Sequence, residues 1–503
     1  MVGKKIFQGG HYLLLGLFSL LILGSLIAAV RSSNLLLTMT TAKIFLVPLG
    51  IGLVLIGGYF FKKTAYRYQL LISLLFFVLA VLFQVSLVYA THPPVGFDVM
   101  HFYNYIHNHN PGENAYYSMY PNNLFSLIIF NAFFKLAGTA HYWLKADLLN
   151  TLMVDLALVI NCVTVLSYQK KYLLKAVWTQ ILLMFIFPMI IIPYTDTLVM
   201  PFAAGMILCL AVINKTDKLT VKLGATLLLG FLTIVGYFIK PTAIILIIAF
   251  VLWTIFSLFN EFNFKKIIPV VILFLTMGGS YLVISHQVKH QTLLKIDQSR
   301  AFPAIHYVDM GMYGTGGFSA KLYQENHDAK TKQERIDISK ANIKMTLKKR
   351  GFLGYLKFLM VKQGLNTADG TFGWLKEGQF ILANSKDTYT LVSAQVKPNI
   401  FKEYLYPDGK YLHDFYFVAQ LVWCLALLFL LLGYDKTDLF LDTLRLGVIG
   451  GMIFLLLFEG GRSRYLIQFL PTILVLLSIT FESSLNRLRL VKAALMNRQD
   501  TTA

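Results

Sequence analysis

Leu124–Ala137, LFSLIIFNAFFKLA, is the stretch on which the topology of this chain turns. It is apolar enough for a membrane, yet about 14 residues are short for a crossing, because roughly 20 helical residues are needed to span a bilayer core. The rest of the chain settles the broad class. It has 503 residues, of which 56% are hydrophobic and only 14% charged, and a mean hydropathy of +0.63. Apolar runs near crossing length fall at 12–30, 42–61, 69–90, 147–168, 172–192, 197–213, 219–239, 241–259, 267–285, 411–433, 438–458 and 463–481. The run from Tyr12 to Val30 follows two lysines as a secretion signal would, but it is too long and lacks a small-residue cleavage site, so it is expected to be an anchor. Cys162, Cys209 and Cys424 all lie in apolar runs and are expected to pack rather than to bridge or ligate.

The basic loops arbitrate the ambiguous stretch. If Leu124–Ala137 does not cross, Lys62 and Lys63, Lys170 and Lys171, Lys215 and Lys218, and Lys265 and Lys266 all lie in the cytoplasm. Both termini join them, with the tail that carries Arg487, Arg489 and Lys492. If it does cross, every later basic loop moves outside. The expectation is therefore an all-α membrane protein, multi-pass in the plasma membrane, with about 12 transmembrane helices and interfacial or re-entrant helices besides. Three regions follow: a transmembrane module over 1–285 with outer loops 91–146 and 193–197, an extracytoplasmic and mainly helical insertion over 286–410, and a second transmembrane module over 411–503 with a basic cytoplasmic tail.

On that topology the polar clusters share the outer face. Residues 91–124, THPPVGFDVMHFYNYIHNHNPGENAYYSMYPNNL, hold Asp98, four histidines and a series of asparagines at a membrane boundary, where ionisable groups are costly without a task. On a helix from Phe97 to His109, Val99, Phe102, Tyr103 and Ile106 form one apolar stripe; Asp98, His101, Asn104, Tyr105 and Asn108 fall opposite. That pattern fits a short interfacial helix, with Asp98 either as its N-terminal cap or as a catalytic acid–base group. Lys240, in GYFIKPTAIILI, and Arg462 and Arg464, in EGGRSRYLIQFLP, stand at outer span ends. Such cations either snorkel to the interface or bind a phosphate, arginine through a two-pronged contact and lysine as a point charge. In the insertion, FPAIHYVDMGMYGTGGFS lacks the Lys-Ser/Thr ending of a phosphate loop, so its glycines suggest a substrate-facing loop instead. The net charge of +20 includes inner anchors and does not by itself identify a ligand, though a basic outer surface would suit lipid phosphates or anionic wall polymers; no nucleic-acid partner is expected.

Taken together, these motifs resemble those of a GT-C-type membrane glycosyltransferase, similar to protein O-mannosyltransferases and to the transferases that add aminoarabinose to lipid A (family 39-like), in the Gram-positive branch. The resemblance rests on GFDVMHFY, then YPNNL with a short apolar helix, PYTDTL, IKPTAIILI and RSRYLIQFLP, in that order along most of the chain. YPNN stands where better-known relatives have a Pro-Pro element, and GFDVM lacks the paired acids of metal-dependent ones. The resemblance implies a hexosyltransferase-type enzyme. It would move a sugar from a polyprenyl-phosphate carrier to a glycan, teichoic acid, lipid or protein acceptor at the outer face, inverting the anomeric centre. Asp98 is the candidate base, and Lys240, Arg462 and Arg464 are the candidate donor-phosphate ligands. Asp196 either orients the acceptor, helps hold a divalent metal (Mg or Mn), or caps a helix. His101, Tyr120, Asn122, Asn123, His306 and Tyr465 are candidate sugar, acceptor or metal contacts. The alternatives from other classes are a transporter or flippase of lipid-linked or anionic substrates, and a wall-polymer polymerase or ligase. A transporter should show internal repeats and mid-span charges, of which Asp155 is the main example.

Overall fold

The structure is a computed structural model that describes residues 2–36, 50, 52, 56–260, 267–376, 399–407, 409–434 and 438–500. The described chain is helical, with no β-strand, as expected where every backbone N–H must find its partner inside its own segment. Among the described residues nine helices are long and apolar enough to cross a membrane: Gly3–Val30, Tyr66–Thr91, Tyr142–Tyr168, Thr195–Lys215, Leu219–Ile239, Ile267–Lys289, Leu412–Leu432, Leu439–Leu457 and Ser463–Ala494.

Twelve spans were expected, and the difference has local causes. The run near 42–61 falls mostly outside the described residues. The run near 172–192 gives a helix only over Leu173–Ile186, followed by a 3-10 turn at Pro188–Ile191. Pro188 removes a backbone donor and disfavours helical geometry at the residue before it. The run near 241–259 forms a shorter apolar segment, Pro241–Ser257. These two short segments still join one end of the bundle to the other, because Lys240 sits with Asp196 at one end while Phe256 packs on Phe7 at the other.

Lysine-rich loops gather at that second end. Lys175 pairs with Glu482 at 2.8 Å, Lys170 lies over the Tyr66 ring, and Arg487 donates to the carbonyls of Leu432 and Tyr434. His11 and Arg445 both bind Asp442 at 2.9 Å, a buried staple between the first helix and Leu439–Leu457. The polar loops at 91–123, 193–196, 240 and 459–464 lie at the opposite end.

Leu124–Ala137 is a single 14-residue helix. Its last carbonyls, Ala137 O and Gly138 O, accept from Lys145 Nζ at 2.6 and 2.9 Å, and Phe134 stacks on Tyr142. Tyr142 and Trp143, which open the next helix, pack on Tyr103 of the 91–123 segment with ring centroids 5.0 and 5.2 Å apart, so the stretch returns to the end it left. It does not traverse the bundle.

The insertion packs down onto that same end. Its helices are Ala304–Met312, Ala320–Asp328 and Lys332–Thr367. Its entry strand of loop is tied to the Asp98 segment by Tyr105 Oη to Leu293 O at 2.9 Å, Asp297 N to Ser118 Oγ at 2.9 Å and Phe302 N to Met119 O at 3.2 Å. All three cysteines are free thiols within the helical packing.

Candidate functional site

Asp98 begins the helix Asp98–Asn108, which buries Val99, Phe102 and Ile106 as its periodicity dictates. Phe97, with φ +54°, occupies the cap position, and no side-chain cap bond forms. Asp98 is therefore not the cap. Its Oδ1 accepts from Tyr116 Oη at 2.7 Å, and Asn123 Nδ2 donates to the same phenolic oxygen at 2.7 Å. Asn122 donates to Asn123 Oδ1 at 3.2 Å. His101 stacks face to face on Tyr116, with ring centroids 3.5 Å apart. Its Nδ1 donates to the buried Glu113 at 2.6 Å, and Asn104 binds the other Glu113 oxygen at 3.1 Å. Burial and the Asp98 carboxylate push the Tyr116 phenol well above its ordinary range. It is a donor at any physiological pH.

The second half of the site comes from far along the chain. Asp196, 1% exposed, lies in the short helix Thr195–Leu198 that follows the Pro193 turn. Lys240 Nζ is seated on its Oδ1, and Arg464 Nη1 stands 3.8 Å from its Oδ2. Asp196 makes no cap bond; its role is to hold two cations together. The Arg464 guanidinium lies 4.0 Å over the Tyr194 ring, and Lys240 is 5.2 Å from the Tyr465 centroid. Such faces stabilise a cation that has left water. Tyr465 Oη donates to Glu459 at 3.1 Å. Burial raises the Glu459 carboxyl, against the opposing effect of Arg462 and the Tyr465 hydrogen bond.

The two halves meet. Tyr194 lies within electrostatic reach of Asp98, Arg464 and Asp196, and Glu459 within reach of Arg462, Asp98 and Arg464. Tyr120 and Tyr307 feel both Asp98 and Glu459. Asp98, Asp196, Lys240, Arg462, Arg464, Tyr120, Asn123 and Tyr465 thus share one polar cluster, with His101 stacked at its edge. Asn122 is exposed at the rim. His306 does not join it: fully buried, it lies against Phe302, and neither ring nitrogen finds a partner. Burial lowers its pKa to about 4, so it is neutral.

The glycine-rich turn also differs from the substrate-facing loop expected. Gly316, with φ +86°, accepts on its carbonyl from Gly460 N at 2.7 Å, and a Cβ on it would come within 2.4 Å of Lys362 Cε. The glycines permit close backbone approach. They lock the insertion against the loop that carries Glu459 and Arg462.

Sequence reasoning passed over Glu113, Tyr116, Tyr194, Tyr307 and Glu459. Glu113 and Tyr116 lay in the quoted 91–124 stretch, and Glu459 opened the EGGR loop, but only the fold gives them partners. Among the described residues no three His, Cys, Asp or Glu side chains are grouped to hold a metal ion. The donor set around Asp196 is cationic, which does not suit a divalent ion. A small cavity, of a size for about one water, lies among the helices that follow Asp196, Lys240 and Arg464. It is lined by Val199, Ala203, Met206, Ala243, Leu246, Gly447 and Phe469, with Thr242 and Gln468 among its lining residues.

Fold and cluster together define a multi-pass, all-α integral membrane protein with one charged, tyrosine-walled centre at the end opposite its basic loops. A family model described as "conserved hypothetical integral membrane protein" matches residues 6–485, and the chain belongs to that family. No curated protein matches it, and no solved structure does.

Proposed function

We propose that the protein is a membrane glycosyltransferase of the GT-C type, moving a sugar from a polyprenyl-phosphate carrier to an acceptor on the outer face of the plasma membrane. The observation that carries this is the convergence of Asp98, from the first polar loop, with Lys240 and Arg464, which share Asp196. A base and a phosphate-binding pair are the two devices such a transfer needs. The positive-inside rule supports the outward orientation, since the basic loops cluster at the far end.

In this reading the acceptor oxygen attacks the anomeric carbon, its proton passes to Asp98, and the bond to the carrier phosphate breaks with its electron pair leaving on the phosphate oxygen. A single displacement inverts the centre. Asp98 Oδ1 is occupied by Tyr116, which leaves Oδ2 to take the proton. Lys240 and Arg464, with Arg462 beside Glu459, match the growing phosphate charge, so no general acid and no metal is required. The acceptor (wall glycan, teichoic acid, lipid or protein) is set by residues at the rim.

A transporter is the second reading, favoured by Asp147: it is fully buried within Tyr142–Tyr168, and neither carboxylate oxygen has a hydrogen-bond partner. The deciding experiment is genetic and chemical. Deleting the gene should remove one sugar from a surface glycan; the wild-type chain should restore it, Asp147→Asn should restore it, and Asp98→Asn should not. An unchanged surface glycan profile after deletion would sink the transferase.

A further inference from the structure

Helix Lys332–Thr367 changes character at Gly351, where φ is +62° and helical geometry is interrupted. Before that point Lys344, Lys348 and Lys349 are exposed. Beyond it Phe352, Leu353 and Met360 are each 77% exposed and Val361 56%. In the helix beyond the kink the outward residues are Phe352, Leu353, Leu356, Met360, Val361 and Leu365, with Lys357 among them. Across Gly351 the exposed residues therefore change from lysine to mainly apolar. A contiguous apolar face of this size marks contact with another molecule or with lipid.

The inward face shows which. Thr367 Oγ1 donates to Ser25 Oγ at 2.7 Å, and Trp423 Nε1 donates to Thr367 O at 2.8 Å. Ser25 lies some 8 Å from the end of its span and Trp423 some 16 Å from the start of its own, at about 1.5 Å per residue. The end of this helix thus sits among membrane-crossing helices, at bilayer depth, and its outward side has only acyl chains to meet. Lys348 and Lys349 lie within four residues of Phe352, directly before the Gly351 kink, and Lys344 one turn further back on the preceding helix. The nearby acids Asp309 and Glu325 are turned inward, to Asn342 Nδ2 at 3.1 and 2.9 Å.

We propose that Gly351–Thr367 is a re-entrant helix and that Lys344, Lys348 and Lys349 at its mouth bind the phosphate of an anionic phospholipid, in the leaflet beside the candidate site. Ammonium groups above an apolar face match such a lipid at both headgroup and tail. The consequence reaches the site through Lys362. Its buried ammonium donates to Gly311 O, Leu456 O and Phe458 O at 2.6, 3.0 and 2.7 Å, tying the re-entrant helix to the backbone directly before Glu459. A lipid seated here steadies the loop that carries Arg462 and Arg464. This holds whether or not the site transfers sugars.

The test uses the full chain, its three native cysteines replaced by alanine, in phosphatidylcholine nanodiscs with or without phosphatidylglycerol. A fluorophore on Met360→Cys should be quenched by nitroxide-labelled lipid tails, and one on Lys321→Cys should not. Native mass spectrometry should find phosphatidylglycerol retained in preference to phosphatidylcholine, with that preference falling severalfold in the triple variant K344Q/K348Q/K349Q. Water-like fluorescence at position 360 overturns the re-entrant helix. Equal retention by the triple variant, or displacement of the lipid by free glycerol phosphate, overturns the lipid site.

Discussion

Tyr116 donates its phenolic hydrogen to Asp98 Oδ1 at 2.7 Å, so one carboxylate oxygen is fixed by the fold and the other is the one available for chemistry. Replacing Asp98 with Asn keeps the shape of that contact and removes the base. Transfer from a polyprenyl-phosphate sugar should fall by roughly two orders of magnitude or more, the scale of general-base loss. Donor binding by the same variant, measured by lipid retention, should be unchanged. Near-normal turnover would leave Asp98 a structural residue.

Tyr116→Phe tests positioning without touching the reacting atoms. It frees Asp98 Oδ1 from the contact that fixes it, so turnover should fall with KM for the donor little changed. A role confined to folding would lower the amount of folded protein and leave turnover per folded molecule unchanged.

Lys240→Gln and Arg464→Lys should reduce turnover more than apparent donor affinity, because leaving-group charge grows in the transition state. Asp196→Asn loosens both cations at once and should cost at least as much as either substitution. If all three variants changed only KM, the pair would be a ground-state binder.

His306 and Asp309 sit one turn apart on Ala304–Met312, and burial shifts them in opposite directions. Burial lowers His306 to about 4 and raises Asp309 to about 6. Below pH 6.5 the unfolded chain gains the histidine proton first, so His306 makes stability rise with pH between about 4 and 6.5. Asp309 keeps its proton longer when folded, so it makes stability fall between about 4 and 6. The two slopes oppose in the wild type. His306→Phe should leave stability falling with pH across that window and Asp309→Asn should leave it rising, each by at most about 3 kcal/mol. Thermal unfolding in detergent at pH 4.5 and 6.5 would read the divergence; parallel curves would refute it.

Sidedness is checked with an impermeant thiol reagent on intact cells. Lys321→Cys, beside the candidate site, should react, and Lys170→Cys, in the basic loop at the far end, should not. The reverse result would move the site to the cytoplasmic face.

Composition and periodicity determined much of this protein by themselves. A run of some twenty apolar residues has one stable form in lipid, a helix, which is why seven of the nine spans follow their sequence limits to within five residues, while the first and last extend beyond theirs. The stripe of Val99, Phe102 and Ile106 announced its helix in the same way. Whether Leu124–Ala137 crosses was settled only by Tyr142 and Trp143 packing on Tyr103, a contact between elements that hydropathy does not encode. The short helix at Leu173–Ile186 shows a single proline overriding an apolar run. The site divides likewise. Asp98, Asp196, Lys240 and Arg464 stood out as charges at span ends, where desolvation makes each one conspicuous. That Asp196 would hold Lys240 and Arg464, and that Tyr116 would claim one oxygen of Asp98, depended on packing helices from opposite ends of the chain. His306 shows the converse: a histidine in a polar motif that the fold buried against Phe302, apart from the cluster to which the sequence assigned it.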